Sequence, residues 1–206
     1  MQTVYEVWGG KKQLGEITLN LPGEHNVYNS LAAVAVSREL DIDFATIKAG
    51  LEGFTGVARR FHVRGAVAGV TVVDDYGHHP EEIKAVLKAA KKGFDARLVV
   101  VFQPHRYSRT QDLFNEFLSA FNDAEKLVIT DVYAAGEERI EGASGEALYQ
   151  GIKAYGHKDV SYMPGPLILA HLEGSVESGD MVITLGAGDI WKTGMALLES
   201  LRKRAS

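Results

Sequence analysis

Residues 70–102 read VTVVDDYGHHPEEIKAVLKAAKKGFDARLVVVF, and this stretch decides the fold. It opens on an apolar run that ends in two aspartates. After a short polar turn comes Pro80, which suits the first turn of a helix. Glu81 and Glu82 suit the positive end of the helix dipole, and the lysines and Gly93 suit its exit. The apolar run RLVVVF, 97–102, then has the near-continuous hydrophobicity of a strand buried on both faces. Strand, helix and strand in this order are the unit of a parallel sheet.

The pattern extends in both directions. Upstream, HVRGAV (62–67) forms a strand pair with VTVVDD (70–75) around Ala68-Gly69. Downstream, the sequence predicts a helix over about 109–122, a strand over 126–130 and a helix over about 144–155. A strand over 158–162, a helix over 166–176, a strand over 180–185 and a helix over 189–203 follow. Apolar strands alternating with amphipathic helices predict an α/β fold: an open, mainly parallel, doubly wound sheet with helices on both faces.

The first 60 residues have a different character. Segments 3–8 and 13–21 read as two strands around GGKK, with Ile17, Leu19 and Leu21 alternating with Glu16, Thr18 and Asn20. A two-residue period marks a half-buried strand. An alanine-rich helix is expected from about 26 to 39. Asp43 is placed to cap a second helix that carries Phe44, Ile47 and Leu51 on one face. One hairpin and two helices are a thin basis for an independent core.

Composition narrows the class. The 206 residues are 46% hydrophobic and 24% charged, the balance of an ordinary globular protein. There are no cysteines, so disulfides, zinc-thiolate centres and cysteine nucleophiles are excluded. No apolar run approaches the roughly 18 residues that a membrane-spanning helix needs, and the N-terminus lacks signal-peptide character. A cytoplasmic location and no membrane partner are expected. The formal net charge of −5 argues against a nucleic-acid partner. It leaves small anions open, because a local cluster of arginines acts against the net sign.

In open α/β sheets ligands bind beyond the carboxyl ends of the strands. There the predicted strands deliver DDYGHHP (74–80), QPHRYSRT (103–110), TDVYAAGE (130–137) and LGAGDIWK (185–192). Each motif alone has a plain reading, such as Asp74 or Asp75 capping a helix, or His78-His79 turning into one. Their joint placement on one edge predicts a binding cleft. Arg106 and Arg109, three apart, fall on one side if their turn is helical, and arginine forks match carboxylate and phosphate oxygens. His105 adds a donor whose charge can change near neutral pH.

Asp74, Asp75, His78 and His79 have the residue types of a metal site but not a known ligand spacing, so no metal ligands are assigned. The GAG at 186–188 lacks the third glycine and the βαβ context of a dinucleotide loop, so NAD binding has little support. Asn26 and Asn29 share a helix face if the helix starts at or before Asn26, where they cap the helix or read a base edge. Arg59-Arg60 are read as a domain-joint salt bridge or as a phosphate contact.

Together GEHNVYNSLAAVAV, GVARRF, VDDYGHHPEEI, VFQPHRYSRT, DVYAAGE and TLGAGDIWK resemble the carboxyl-terminal half of the Mur ligases, specifically the branch that adds L-alanine to UDP-N-acetylmuramate in peptidoglycan precursor synthesis. The resemblance runs over about 13–203. It implies ATP-dependent amide-bond formation through an acyl phosphate, with ATP and Mg2+ bound mainly outside this chain. The implied partners are UDP-N-acetylmuramate, L-alanine and ATP.

The resemblance also implies that 1–60 is the end of a central ATP-binding domain and 61–206 a Rossmann-like third domain. Neither a GxxxxGK[ST] loop nor a UDP-binding domain occurs in the sequence. The chain is therefore expected to be a fragment, inactive alone, with self-association through 1–60 possible.

By resemblance, His25, Asn26 and Asn29 lie on the adenine side, Arg60 reaches the ATP phosphates and Asp75 holds the ribose. Tyr76, His78, His105, Arg106 and Arg109 line the amino-acid and muramoyl pocket. His105 and Arg109 grip the alanine carboxylate there, and Gly186 to Gly188 approach as backbone. Arg60 and His78 are the candidate catalytic residues. Murein-peptide ligase of the same family and a non-catalytic nucleotide- or precursor-binding module are the alternatives.

Overall fold

A computed structural model describes residues 2–54 and 58–205. The chain divides into two compact units, Met1–Ala58 and Arg59–Ser206. The division falls two residues before the expected 60/61 boundary, so Arg59 and Arg60 both belong to the second unit.

In the first unit, β1 (Thr3–Gly9) and β2 (Lys12–Leu19) form an antiparallel hairpin. Helix α1 (Glu24–Glu39) and helix α2 (Phe44–Glu52) follow. The core is small: Val7, Ile17, Leu19, Val34 and Ile47 are buried, with Phe44 and Leu51 packed against them. Asp43 caps α2 as the sequence predicts, its Oδ1 accepting the Thr46 N–H at 3.0 Å. The second strand stops at Leu19 rather than 21. Helix α1 starts at Glu24, and only Ser30 and Val34 of it are buried, while Tyr28, Val36 and Leu40 are exposed.

The second unit is an open six-stranded sheet with helices on both faces. Strand β3 (His62–Val67) turns through Ala68 and Gly69 into β4 (Val70–Asp75). Both turn residues have left-handed φ values, 51° and 78°, the conformation of a two-residue hairpin turn. Next come α3 (Pro80–Gly93), β5 (Arg97–Phe102), α4 (Tyr107–Asp112), α5 (Phe114–Phe117) and β6 (Lys126–Ile129). The unit closes with α6 (Gly145–Tyr155), β7 (Val160–Tyr162), α7 (Ile168–Glu173), β8 (Asp180–Leu185) and α8 (Trp191–Ala205).

The strand order is β3-β4-β8-β5-β6-β7, with only β3 antiparallel. Alternate residues of each central strand feed opposite faces. Leu98, Val100 and Phe102 of β5 join Ile83 and Leu87 of α3 and Leu148 and Ile152 of α6. Val99 and Val101 join Ile168 and Leu172 of α7 and Leu197 and Leu198 of α8.

Two predicted helices are broken. The helix expected over 109–122 is α4 and α5, separated at Leu113, whose ψ is 20°. The break seats Phe114 and Leu118 against Gly151 of α6, where an added Cβ would lie 2.9 Å from each. Phe117 and Phe121 meanwhile pack on Phe102. The helix expected over 166–176 is a short 3-10 turn at Gly165–Leu167 followed by α7.

Candidate functional site

The carboxyl edge of the second unit's sheet gathers the polar motifs. Asp74, at the end of β4, is fully buried. Its Oδ2 accepts from Arg59 Nε at 3.2 Å and Arg64 Nη2 at 3.0 Å, and its Oδ1 from Thr184 Oγ1 at 3.2 Å. Arg59 Nη2 also donates to the Gly186 carbonyl at 2.6 Å. The Arg59 half of the Arg-Arg pair is thus an internal clamp of this unit, tying the chain's entry to β4 and to the loop after β8.

Asp75 is also buried, and it caps no helix. Its Oδ2 accepts the Phe61 N–H at 2.6 Å and its Oδ1 the Gly77 N–H at 2.7 Å. Burial raises its carboxyl pKa, a shift only partly offset by those two N–H bonds and the Arg60 charge. The cap of α3 is His79 instead. Its ring accepts the Glu81 N–H, and Glu82 reaches back to its backbone, a capping box. Glu82 Oε2 also accepts the His78 N–H at 3.0 Å. Burial raises the Glu82 pKa, but these N–H bonds and the charges of His78 and Arg60 outweigh it and hold the group below its ordinary value.

Around this turn Arg59 and Arg60 lie over the Tyr76 ring, at 5.0 and 5.8 Å from its centroid. Arg60 is half exposed, with Nη1 3.6 Å from Glu82 Oε1. The His78 ring stands edge-on to Tyr76 and 5.6 Å from the His105 ring. His78 Nδ1 is 2.9 Å from the Tyr76 carbonyl oxygen. A carbonyl only accepts, so this nitrogen carries the proton and the neutral ring keeps its lone pair on Nε2.

His105 has the complementary arrangement. Arg109 Nη1 lies 3.3 Å from its Nδ1. A guanidinium only donates, so Nδ1 is the acceptor and Nε2 carries the proton. Burial lowers the His105 pKa, helped by His78 when that ring is protonated and by the charges of Arg109 and Arg106, and opposed by Glu137. The ring is therefore neutral at pH 7 and presents an N–H.

Arg106 and Arg109 do not align as a helical pair. Arg106 precedes α4 with a φ of 71°, a strained value for a residue with a side chain. Its guanidinium approaches Glu137 at 4.0 Å, while Arg109 folds back on His105. Glu137 also accepts from the Ser108 N–H and hydroxyl, at 3.0 and 2.7 Å.

Gly186 and Gly188 have a packing reason. A Cβ on Gly186 would lie 2.8 Å from the Gln103 carbonyl oxygen; on Gly188 it would lie 2.3 Å from Gln103 Oε1 and 2.7 Å from the Tyr133 ring. Gln103 Oε1 accepts the N–H of Asp189 and Ile190, so α8 begins at Trp191 rather than 189. Close packing against Gln103 and Tyr133, rather than a dinucleotide loop, accounts for the GAG.

In the first unit, His25 and Asn29 are exposed, and Asn26 Nδ2 donates to the Pro22 carbonyl at 2.7 Å. Because α1 starts at Glu24, the two asparagines do share a face. The sequence reading missed Gln103, Tyr133, Glu82 and Glu137. Only the DVYAAGE and PEEI motifs carried a signal for three of them, and nothing marked Gln103 as a loop clamp.

A sheet of this order, open and mostly parallel with helices on both faces, defines an α/β domain of the doubly wound class. The profile of the Mur ligase glutamate ligase domain matches residues 59–188, and the chain belongs to the Mur ligase family. It is 57% identical over 190 residues to a UDP-N-acetylmuramate–L-alanine ligase of Geotalea uraniireducens, covering 92% of this chain and 42% of that protein. It superposes on the UDP-N-acetylmuramate-alanine ligase of Thermotoga maritima with a TM-score of 0.80 and 30% identity, covering 98% of this chain and 44% of that one. A murein peptide ligase of Psychrobacter arcticus shares the fold, with a TM-score of 0.69, 23% identity and coverage of 96% and 42%. The chain spans about 42% of the length of the curated relatives that it matches.

Proposed function

We propose that this chain is the carboxyl-terminal part of an ATP-dependent ligase that joins L-alanine to UDP-N-acetylmuramate in peptidoglycan precursor synthesis. The observation that carries the reading is the convergence of His78, His105 and Arg109 on the carboxyl edge of a chain 57% identical to a ligase of that name. The alanine carboxylate is gripped by Arg109 and the neutral His105 N–H, with Arg106 and Tyr76 bordering the pocket. His78 presents its Nε2 lone pair to the incoming amine. The amine attacks the carbonyl carbon of an acyl phosphate and gives a proton to His78 Nε2, the acyl C–O bond breaks to release inorganic phosphate, and fixed cations such as Arg60 offset charge on the phosphoryl oxygens. Asp75 is on the ribose side, where its buried carboxylate acts by bracing the Phe61 and Gly77 N–H groups rather than by open contact, and His25, Asn26 and Asn29 are on the adenine side.

Arg60 and His78 are the catalytic residues of this reading, and the first unit, Met1–Ala58, belongs to the ATP-binding domain. ATP and Mg2+ are assigned to the remainder of the longer protein. Asp74 is committed to two arginines and a hydroxyl, and no cluster of three metal-ligating side chains occurs among the described residues. Among them, too, no helix is long and apolar enough to cross a membrane. A cytoplasmic location is part of the proposal, as is self-association through the first unit.

The test joins this chain to the amino-terminal remainder of the Geotalea relative and measures L-alanine-dependent ADP release. Release with L-alanine is expected, and Arg109→Ala should raise the alanine KM at least about tenfold, the value of one charge-assisted hydrogen bond. Release with a tripeptide but not L-alanine would favour a murein-peptide ligase. Ligand binding without turnover would favour a non-catalytic module.

A further inference from the structure

Tyr133 has no part in the roles above, yet it is the residue most closely fitted to His105. Its ring stacks on the His105 ring with centroids 5.6 Å apart and planes 9° from parallel. The backbone on both sides is tied. Tyr133 N–H donates to the Pro104 carbonyl at 2.8 Å, and Arg106 N–H donates to the Tyr133 carbonyl at 2.9 Å, a short bridge that locks the loop after β6 to the loop after β5. The ring also lies against Gly188, where a single added carbon would approach within 2.7 Å. Gly188, Tyr133, His105 and Arg109 therefore form one contiguous column, supplied by the loops after β8, β6 and β5.

The column leaves His105 little freedom. The stack fixes the plane of the imidazole, and the Arg109 guanidinium requires Nδ1 to accept. Together they aim a neutral Nε2–H. Across 5.6 Å His78 is held in the opposite tautomer by the Tyr76 carbonyl, with Nε2 as acceptor. One donor and one acceptor imidazole side by side match a zwitterionic amino acid, whose carboxylate accepts hydrogen bonds and whose amine supplies them. Of the two, only His105 has a stacked ring partner. The titratable and charged groups that face His105 are His78, Arg109, Arg106 and Glu137; the 3.3 Å bond to Arg109 selects Nδ1 as the acceptor, and the stack keeps the ring turned so that this nitrogen stays on Arg109.

We infer that Tyr133 is a positioning residue: stacked on His105 and backed by Gly188, it holds that imidazole in the Nε2–H tautomer and aims the N–H at the amino-acid substrate. The inference rests on the ligase reading for the substrate but not for the tautomer, so the two can fail separately.

The experiment is 15N NMR of histidine-labelled full chain, which reads tautomer and titration without turnover, followed by kinetics of the joined enzyme described above. In the wild type, His105 is expected as the Nε2–H tautomer, titrating below an ordinary histidine. Tyr133→Leu should give a mixture of tautomers and move the His105 titration upward, and in the joined enzyme it should raise the L-alanine KM about tenfold. Tyr133→Phe, which keeps the ring and loses only the hydroxyl, should restore both.

An unchanged His105 tautomer and titration in a folded Tyr133→Leu chain overturns the inference, whatever the kinetics show. If Tyr133→Leu does not fold, Gly188→Ala displaces the same ring from the other contact and must alter the His105 15N pattern. An intact tautomer effect with no L-alanine-dependent turnover in the wild type would overturn the ligase reading alone.

Discussion

Asp74→Asn should destabilise the second unit by about 3 kcal/mol. The carboxylate is fully buried and receives two arginines and a threonine hydroxyl. The amide can keep its oxygen on both arginines and turn its N–H2 toward Thr184 Oγ1, whose own proton can go to the Val73 carbonyl, but it carries no negative charge, so the two guanidinium charges are left uncompensated. Breaking a buried pair from one side costs about 3–5 kcal/mol, because the remaining charge stays uncompensated. The side chains of Arg59 and Arg64 are 20% and 21% exposed, which lets water recover part of the loss and favours the low end.

For a chain of this size about 3 kcal/mol corresponds to a fall in Tm of about 6–12 °C. The assay is thermal and urea unfolding followed by tryptophan fluorescence. The chain has two tryptophans, and only Trp191 lies in the second unit, so a Trp8→Phe background makes the signal specific. Arg64→Met, measured alone and with Asp74→Asn, completes a double-mutant cycle. A change below about 0.5 kcal/mol for Asp74→Asn, the range of ordinary surface substitutions, would refute the clamp.

Two further outcomes follow from the same geometry. Gly145→Ala should unfold the start of α6 or the whole unit, since its Cβ would lie 2.0 Å from the Thr130 carbonyl oxygen, a backbone atom that cannot swing aside; loss of far-ultraviolet helix signal or of soluble expression is the readout. Burial lowers the pKa of His157, His171 and His105 from 6.5. The unfolded chain then takes up these protons first, so stability is full above pH 6.5 and falls as the pH drops through the folded values. His157→Gln should flatten the decline of Tm as the pH falls from 6.5 to about 5.5, a window in which carboxylates with ordinary values of about 4 are still mostly ionised.

Element type was readable wherever one period dominated. The runs RLVVVF and VTVVDD are strands because their residues meet side chains on both faces, and PEEIKAVLKAAKKG is a helix because its apolar residues recur on one face. The segment 109–122 misled because its helical period was intact; packing of Phe114 and Leu118 against Gly151 broke it at Leu113. The strand ends were right to within a few residues, and the start of α8 moved because a side chain 86 positions away took two of its N–H groups.

The site divides in the same way. Sequence order and the carboxyl-edge rule placed Tyr76, His78, His105, Arg106 and Arg109 on one edge, since a parallel strand always delivers its following residue there. Whether each side chain pointed at another depended on backbone angles that no periodicity encodes. Arg106 at a φ of 71° turned to Glu137 and left Arg109 alone on His105. Of the two aspartates that look alike in the sequence, Asp74 became an arginine anchor and Asp75 a backbone brace, because successive residues of a strand face opposite sides.

The sequence by itself therefore determined the α/β class and the edge where the polar residues meet, which follow from local period and chain order, and the family resemblance, which rests on its motifs. Only the tertiary structure decided the tautomers of His78 and His105, the stack of Tyr133, and the clamps of Asp74 and Gln103. The Gln103 clamp and the Asp74–Thr184 bond join residues 86 and 110 apart, and the Tyr133 stack joins two separate loops; the tautomers rest on partners two and four residues away, but on backbone angles that the packing of the whole sheet decides.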